Sequence, residues 1–168
     1  MVTRVGVRET YWNALNAVPD PEVPVLSVVD LGIVRDVREE EGVVVVDITP
    51  TYSGCPAMRV IEDDIRSALE RAGAPAVRIN TIFQPAWTTD WISPDARERL
   101  REYGIAPPTG TAPVGVELVP LMRRDTVVPC PRCGSRSTTM RSEFGSTACK
   151  AIYVCAACSE PFDYFKSI

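Results

Sequence analysis

Two pairs of cysteines constrain this chain more than any other feature. VPCPRCGS and YVCAACSE hold Cys130-x2-Cys133 and Cys155-x2-Cys158, with twenty-one residues between the inner cysteines. Two intervening residues let both sulfurs of a pair point at one ion from a single tight turn. Two such turns complete a tetrahedral thiolate site. Gly134 helps the first turn close. The segment between the pairs has strand-like pieces at 137–142 and 151–154, so residues 121–168 read as a four-cysteine zinc-ribbon module. A segment of that length buries little core, which makes a bound metal the natural source of its stability.

The identity of the ion has two readings. Four protein ligands leave no open position for chemistry, which favours structural zinc. Iron in a rubredoxin-like site is the alternative, because CPRCG is also a knuckle of that kind, and it would imply electron transfer. Cys149, six residues before Cys155, belongs to neither pair. It is a packed thiol, a spare near the metal, or a second exposed thiol that meets Cys55 or a transferred cluster.

The chain of 168 residues contains no histidine. Histidine-based general base catalysis, Cys-His pairs, Ser-His-Asp triads and His-ligated zinc are therefore excluded within this polypeptide. No nucleotide-binding glycine motif and no Glu-x-x-His pair occurs, so neither a flavin reductase nor a di-iron oxygenase is expected. The net charge of -4 argues against nucleic acid or an anionic membrane as partner. No apolar run is long enough to span a bilayer, and the N-terminus lacks a signal-peptide core. A cytoplasmic protein is expected.

Ahead of the ribbon the pattern is mixed. A short helix is expected over 8–18, with Trp12, Leu15, Tyr11 and Val18 at helical spacing. The prolines of PDPEVP end it. A hairpin follows, with strands near 33–38 and 43–49 and a turn at Gly42. The apolar run Val43–Val46 suggests a strand covered on both faces. From Ala57 to Ala72, Met58, Ile61, Ile65, Ala68 and Leu69 recur at steps of three and four, which predicts an amphipathic helix stopped by Gly73. A third strand over 76–83 precedes a final helix opened by Ser93 and Pro94. The order α-β-β-α-β-α predicts an α+β protein, a small two-layer α/β sandwich over residues 1–105. The Pro/Gly-rich stretch 106–120 reads as a linker.

Cys55 stands apart from the other cysteines, in TPTYSGCPAM. Pro56 suits a first helical turn, which puts Cys55 at or beside the N-cap, where backbone N–H groups would lower its pKa. It is a site thiol or a small packed side chain. Asp20 and Glu22 of DPE and Asp30 of DLG are candidate ligands or proton acceptors, or else turn-capping and solvated residues.

DPEVPVLSVVDLGIV, the hairpin after it and TPTYSGCPAM, covering residues 8–105, resemble the SufT-like family of iron–sulfur-assembly domains. QPAWTTDWISPDARERLREYGIAPP, CPRCGS, FGSTACKA and CAACSEPFDYFK extend the resemblance over nearly the whole chain. They are similar to the zinc-ribbon-bearing branch of that family that accompanies multicomponent phenylacetyl-CoA epoxidases. The resemblance implies a non-catalytic accessory of phenylacetate degradation that assists iron–sulfur cluster assembly or transfer. Its partners would be the epoxidase subunits, above all the iron–sulfur flavin reductase, and the iron–sulfur assembly machinery. Its cofactors would be zinc and a transient cluster or iron. The family's site maps onto Asp20, Glu22, Thr51 and Cys55. A subunit stably bound to the oxygenase is the alternative, and a homodimer is left open.

Overall fold

The computed structural model describes residues 4–109 and 127–167. Most of the expected linker therefore lies outside the described residues. Two compact units form, one of residues 4–87 with 91–93 and the other of 88–90, 94–109 and 127–167.

The first unit is built on a three-stranded sheet, ordered β1 (Val34–Glu40), β2 (Val43–Ile48), β3 (Val77–Thr81). Glu41 and Gly42 both adopt positive φ, 49° and 80°, so the hairpin closes through the two-residue left-handed turn whose twist suits its strands. Strand β3 runs parallel to β2, which requires a crossover. Helix α2 (Met58–Arg71) supplies it and buries Ile61, Ile65, Ala68 and Leu69, the face expected from the apolar spacing. Helix α1 (Arg4–Asn16) packs on α2 and β1. It buries Tyr11 and Leu15, while Trp12 is only half-buried. The helices and sheet thus form the two expected layers.

Val44, Val45 and Val46 are all fully buried, although they point to alternate faces. Val45 stands between Arg38 and Arg78 on the neighbouring strands. Arg38 is in turn paired with Asp36, Glu40 and Asp47. Long charged side chains can cover an apolar residue with their stems while their heads stay wet.

Gly32 of DLG has φ +69°, and a Cβ there would stand 2.9 Å from the Cβ of Trp91. Both conformation and space therefore demand glycine. The Arg35 guanidinium lies 3.5 Å above the Trp91 ring, and the Trp87 indole N–H donates to the Leu31 carbonyl at 2.8 Å.

The second unit holds α3 (Pro94–Tyr103) and a four-stranded sheet. Its strands are β4 (Ile105–Ala106), β5 (Thr138–Ser142), β6 (Lys150–Cys155) and β7 (Pro161–Phe165), in the order β4-β7-β6-β5. Ala106, Val128, Ala151, Tyr153, Phe162 and Tyr164 make its core together with Cys130 and Cys155. Two features differ from the sequence reading. Helix α3, grouped by sequence with the first domain, packs with this unit. The start of the expected linker is strand β4, because it pairs parallel with β7. Among the described residues, no helix is long and apolar enough to cross a membrane.

Candidate functional site

The chain brings sulfur to two places. The first is the end of the β5–β6 hairpin. Gly134 N–H donates to the Cys130 carbonyl at 2.9 Å and Cys130 N–H to the Ser135 carbonyl at 2.9 Å, folding the first knuckle. Cys155 N–H donates to the Glu160 carbonyl at 3.0 Å, closing the second. The residue after each pair takes a left-handed conformation, Gly134 at φ 74° and Ser159 at φ 61°. The two knuckles therefore share one backbone plan, with glycine in only one of them.

This plan brings the four sulfurs within 4.8 Å of one another. Cys130 Sγ lies 3.8 Å from Cys158 Sγ, and Cys133 Sγ lies 3.6 Å from Cys155 Sγ. A tetrahedral ion bound at about 2.3 Å requires sulfurs about 3.8 Å apart. A disulfide requires about 2.05 Å. The spacing thus fits a shared ion. Backbone N–H groups, that of Cys158 first, point at Cys155 Sγ and hold its pKa down at about 6, while burial and hydrogen bonds with the other three sulfurs push Cys158 up to about 12 against the Glu160 N–H, so the sulfurs share protons and the charge gathers on Cys155. Cys130 and Cys155 are buried, and Cys133 and Cys158 are exposed. The four sulfurs form a converging group that could hold one metal ion, with no fifth protein donor beside them among the described residues.

The second place is one end of the first unit's sheet. Because β2 and β3 are parallel and β1 is antiparallel to β2, the loop before β1 and the loops after β2 and β3 share that end. A run of backbone bonds ties the first two loops together. Val28 N–H donates to Val18 (3.0 Å), Ile33 N–H to Val28 (3.0 Å) and Thr49 N–H to Ile33 (2.8 Å). DPE, DLG and TPTYSGC are thereby assembled side by side.

Asp20 is buried, and its Oδ1 accepts from the N–H groups of Glu22 (2.9 Å) and Val23 (2.8 Å). Asp30 Oδ2 accepts from the backbone N–H and hydroxyl of Ser27, each at 2.9 Å. Both aspartates thus shape turns. Glu22, Thr51 and Cys55 are partly exposed.

Burial pushes the Cys55 thiol up, and the charges of Glu22 and Asp20 add to the effect. The Ala57 N–H and the Tyr52 side chain hydrogen-bond the sulfur and oppose the rise. The direction is opposite to the one expected from a helix N-terminus. Helix α2 begins only at Met58, after a Pro56–Ala57 turn, so Cys55 gains one nearby N–H rather than a helix end, and burial with the carboxylates outweighs it. The ligand atoms of Asp20, Glu22 and Cys55 do not converge as the four ribbon cysteines do. Among the described residues, those four form the one converging group.

Two residues of this loop escape the sequence reading. Thr49 is buried, and its hydroxyl has no hydrogen-bond partner among the described residues. Tyr52 acts on the Cys55 thiol, opposing the rise in its pKa. The one available signal for Tyr52 is its place three residues before the cysteine in a tight turn. Cys149 is buried, with its sulfur 3.0 Å from the Thr147 hydroxyl. It precedes β6, whose other end carries Cys155, about 20 Å away at about 3.3 Å per residue. It is thus a packed thiol, neither exposed nor beside the four-cysteine group.

Comparison with known proteins follows these two places. Residues 8–80 match the family model described as iron–sulfur cluster assembly protein, and residues 117–166 match the PaaD zinc beta ribbon domain. A protein of Escherichia coli K12, provisionally described as the D component among the subunits of 1,2-phenylacetyl-CoA epoxidase, is 53% identical over 94% of this chain and 91% of its own length. An Fe-S protein maturation auxiliary factor of Bacillus subtilis is 36% identical, over 56% of this chain and 94% of its own. The factor SufT of Staphylococcus aureus is 37% identical, over 48% of this chain and 93% of its own. The crystal structure of a domain of unknown function, DUF59, from Bacillus anthracis superposes with a TM-score of 0.54 at 28% identity, covering 58% of this chain and 93% of that one.

Proposed function

Because this chain belongs to the PaaD family of 1,2-phenylacetyl-CoA epoxidase components, a SufT-like iron–sulfur-assembly domain joined to a zinc ribbon, we propose that it is a maturation factor for that epoxidase. It assists assembly or transfer of an iron–sulfur cluster, with the iron–sulfur flavin reductase as principal client. The observation that supports this reading is the backbone ladder that sets the DPE and TPTYSGC loops side by side, with Cys55 in the second, in the part of the chain that resembles Fe-S protein maturation auxiliary factors.

In this mechanism Cys55 is the thiol that transiently takes iron or a cluster as cargo. Burial, with the charges of Glu22 and Asp20 adding to it, raises its pKa, so the sulfur keeps its proton until cargo displaces it. Glu22 is the partly exposed carboxylate that meets the cargo. Asp20 fixes the loop through the N–H groups of Glu22 and Val23. Thr51 adds a hydroxyl on the same loop. In the ribbon Cys130, Cys133, Cys155 and Cys158 hold zinc, which supplies rigidity alone at a closed site, and the module serves docking. Metal analysis of the purified protein tests this, since iron in its place would support the electron-carrier alternative.

A second reading follows from the description of the Escherichia coli relative as an epoxidase subunit. The chain would then stay bound to the oxygenase. Cys55→Ser separates the two. Under the maturation reading, cells carrying it make reductase depleted of its cluster. Fully loaded reductase, together with co-purification of this chain at fixed stoichiometry, would establish the second reading instead.

A further inference from the structure

The two outer edges of the first unit's sheet differ. Strands β2 and β3 run parallel, with Val44 N–H donating to the Ala76 carbonyl (2.8 Å) and Ile82 N–H to the Ile48 carbonyl (2.8 Å). The even-numbered residues of β3 therefore turn toward β2, and residues 77, 79, 81 and 83 direct their N–H and C=O groups outward. Among the described residues no strand pairs with that side. Arg66 occupies the first of these groups, donating to the Val77 carbonyl at 2.9 Å. Pro85 ends the row, because it has no N–H. Between them Ile79-Asn80-Thr81-Ile82-Phe83 is an open edge without a charged side chain. On β1, by contrast, Arg35, Asp36, Arg38, Glu39 and Glu40 line the strand, and Arg8 donates to the Val37 carbonyl at 3.2 Å. Charge and occupied backbone groups keep an edge strand from pairing with another chain. The edge at β1 has both, and residues 79–83 have neither.

We propose that this edge is the surface on which a second copy of the chain docks, strand against antiparallel strand about Thr81, joining two three-stranded sheets into one. The stretch is complementary to itself. In this register Thr81 faces Thr81 and Ile79 faces Phe83 of the second copy. These become the hydrogen-bonded pairs, which is how their backbone groups already point. Ile79 and Phe83 share one face of β3, so the register makes the same apolar cross-strand pair twice. Ile79 is half-buried and Phe83 is 56% exposed, so both gain cover. One residue pair further out, Val77 falls opposite Pro85. The carbonyl that Arg66 occupies thus meets the residue with no N–H to offer it, and the pairing ends where both partners stop. Thr81 stands beside Ile48, and the joint uses none of Asp20, Glu22, Thr51 or Cys55. It is independent of the cargo reading.

The test is sedimentation equilibrium of the full-length protein as purified, over a dilution series. Residues 79–83 are far fewer than the about 20 a side of a standard interface, so the dimer should dissociate reversibly on dilution. Thr81→Pro removes the central N–H, which points out of the sheet and serves no bond within it. It should weaken dimerisation about tenfold or more, with circular dichroism unchanged. Thr81→Lys and Thr81→Glu should each weaken it too, because like charges then face one another. An equimolar mixture of those two should restore the dimer, since this register alone sets residue 81 opposite itself. A parent that is monomeric at every concentration would overturn the proposal. So would a Thr81→Pro dimer as tight as the parent's, or a Lys and Glu mixture no tighter than its parts. A monomeric parent that loses its client on Thr81→Pro would assign the edge to a strand of the client instead. Cys55→Ser should dimerise as the parent does, so the outcome is separate from the cargo role.

Discussion

At the ribbon end, four sulfurs stand within 4.8 Å of one another before any ion is considered. At the loop end of the first unit, a single half-buried sulfur sits among carboxylates that do not close on it. The first arrangement is made by backbone: two knuckles, each with a left-handed residue after its second cysteine, aim the sulfurs inward. The second is made by two loops, the one before β1 and the one after β2, meeting at one end of a sheet. A converged, closed donor set suits a resident ion. An incomplete set on partly exposed loops suits something that arrives and leaves. Chemistry that needs permanence is built on short-range backbone geometry, and chemistry that needs exchange is built on long-range loop meetings.

The largest effect that can break this comparison is loss of the ribbon's metal. Cys155→Ser, or a strong chelator, should unfold the second unit, since binding energy of about 10 kcal/mol or more becomes folding energy in such modules. Near-ultraviolet circular dichroism and amide exchange should show the first unit still folded. Next is Gly32→Ala, which combines a strained φ with a 2.9 Å approach to Trp91. It should destabilise the first unit by about 2–3 kcal/mol, read as a shifted urea midpoint, with the ribbon's metal content unchanged.

Smaller effects sharpen the contrast between the knuckles. Ser159→Gly should relieve left-handed strain and stabilise the ribbon by about 1 kcal/mol, and Gly134→Ser should cost a similar amount. Metal-release rates with a competing chelator would show both, in opposite directions. The smallest concerns the loop end. Glu22→Gln removes a charge that holds the Cys55 pKa up. The thiol should then ionise at lower pH and alkylate about two- to threefold faster near neutrality. An unchanged rate would show that Glu22 does not act on this sulfur.

What the sequence makes legible divides along the same line. The four ligands, the two-residue hairpin turn and the buried face of α2 depend on neighbours a few residues apart, and their spacing shows them. Strand β7 is harder to see although Phe162 and Tyr164 alternate inward, because so short an alternation beyond the second cysteine pair does not stand out from a tail. The place of α3 is hidden for a different reason. It follows from pairing of Ile105 with Asp163, which no local pattern reveals. The direction of the Cys55 pKa likewise depends on burial, on Glu22 far back in the chain, and on a helix that starts only at Met58. Local reasoning about a helix N-terminus gives the opposite sign.

The most direct test of the division between resident and passing metal is a paired measurement on cells that also make the reductase. Zinc per chain and cluster per reductase would be compared for the parent, Cys55→Ser and Cys155→Ser. The account predicts that Cys55→Ser keeps one zinc per chain while the reductase loses most of its cluster, and that Cys155→Ser loses the zinc. A Cys55→Ser protein that leaves the reductase fully loaded, or that itself loses zinc, would contradict it.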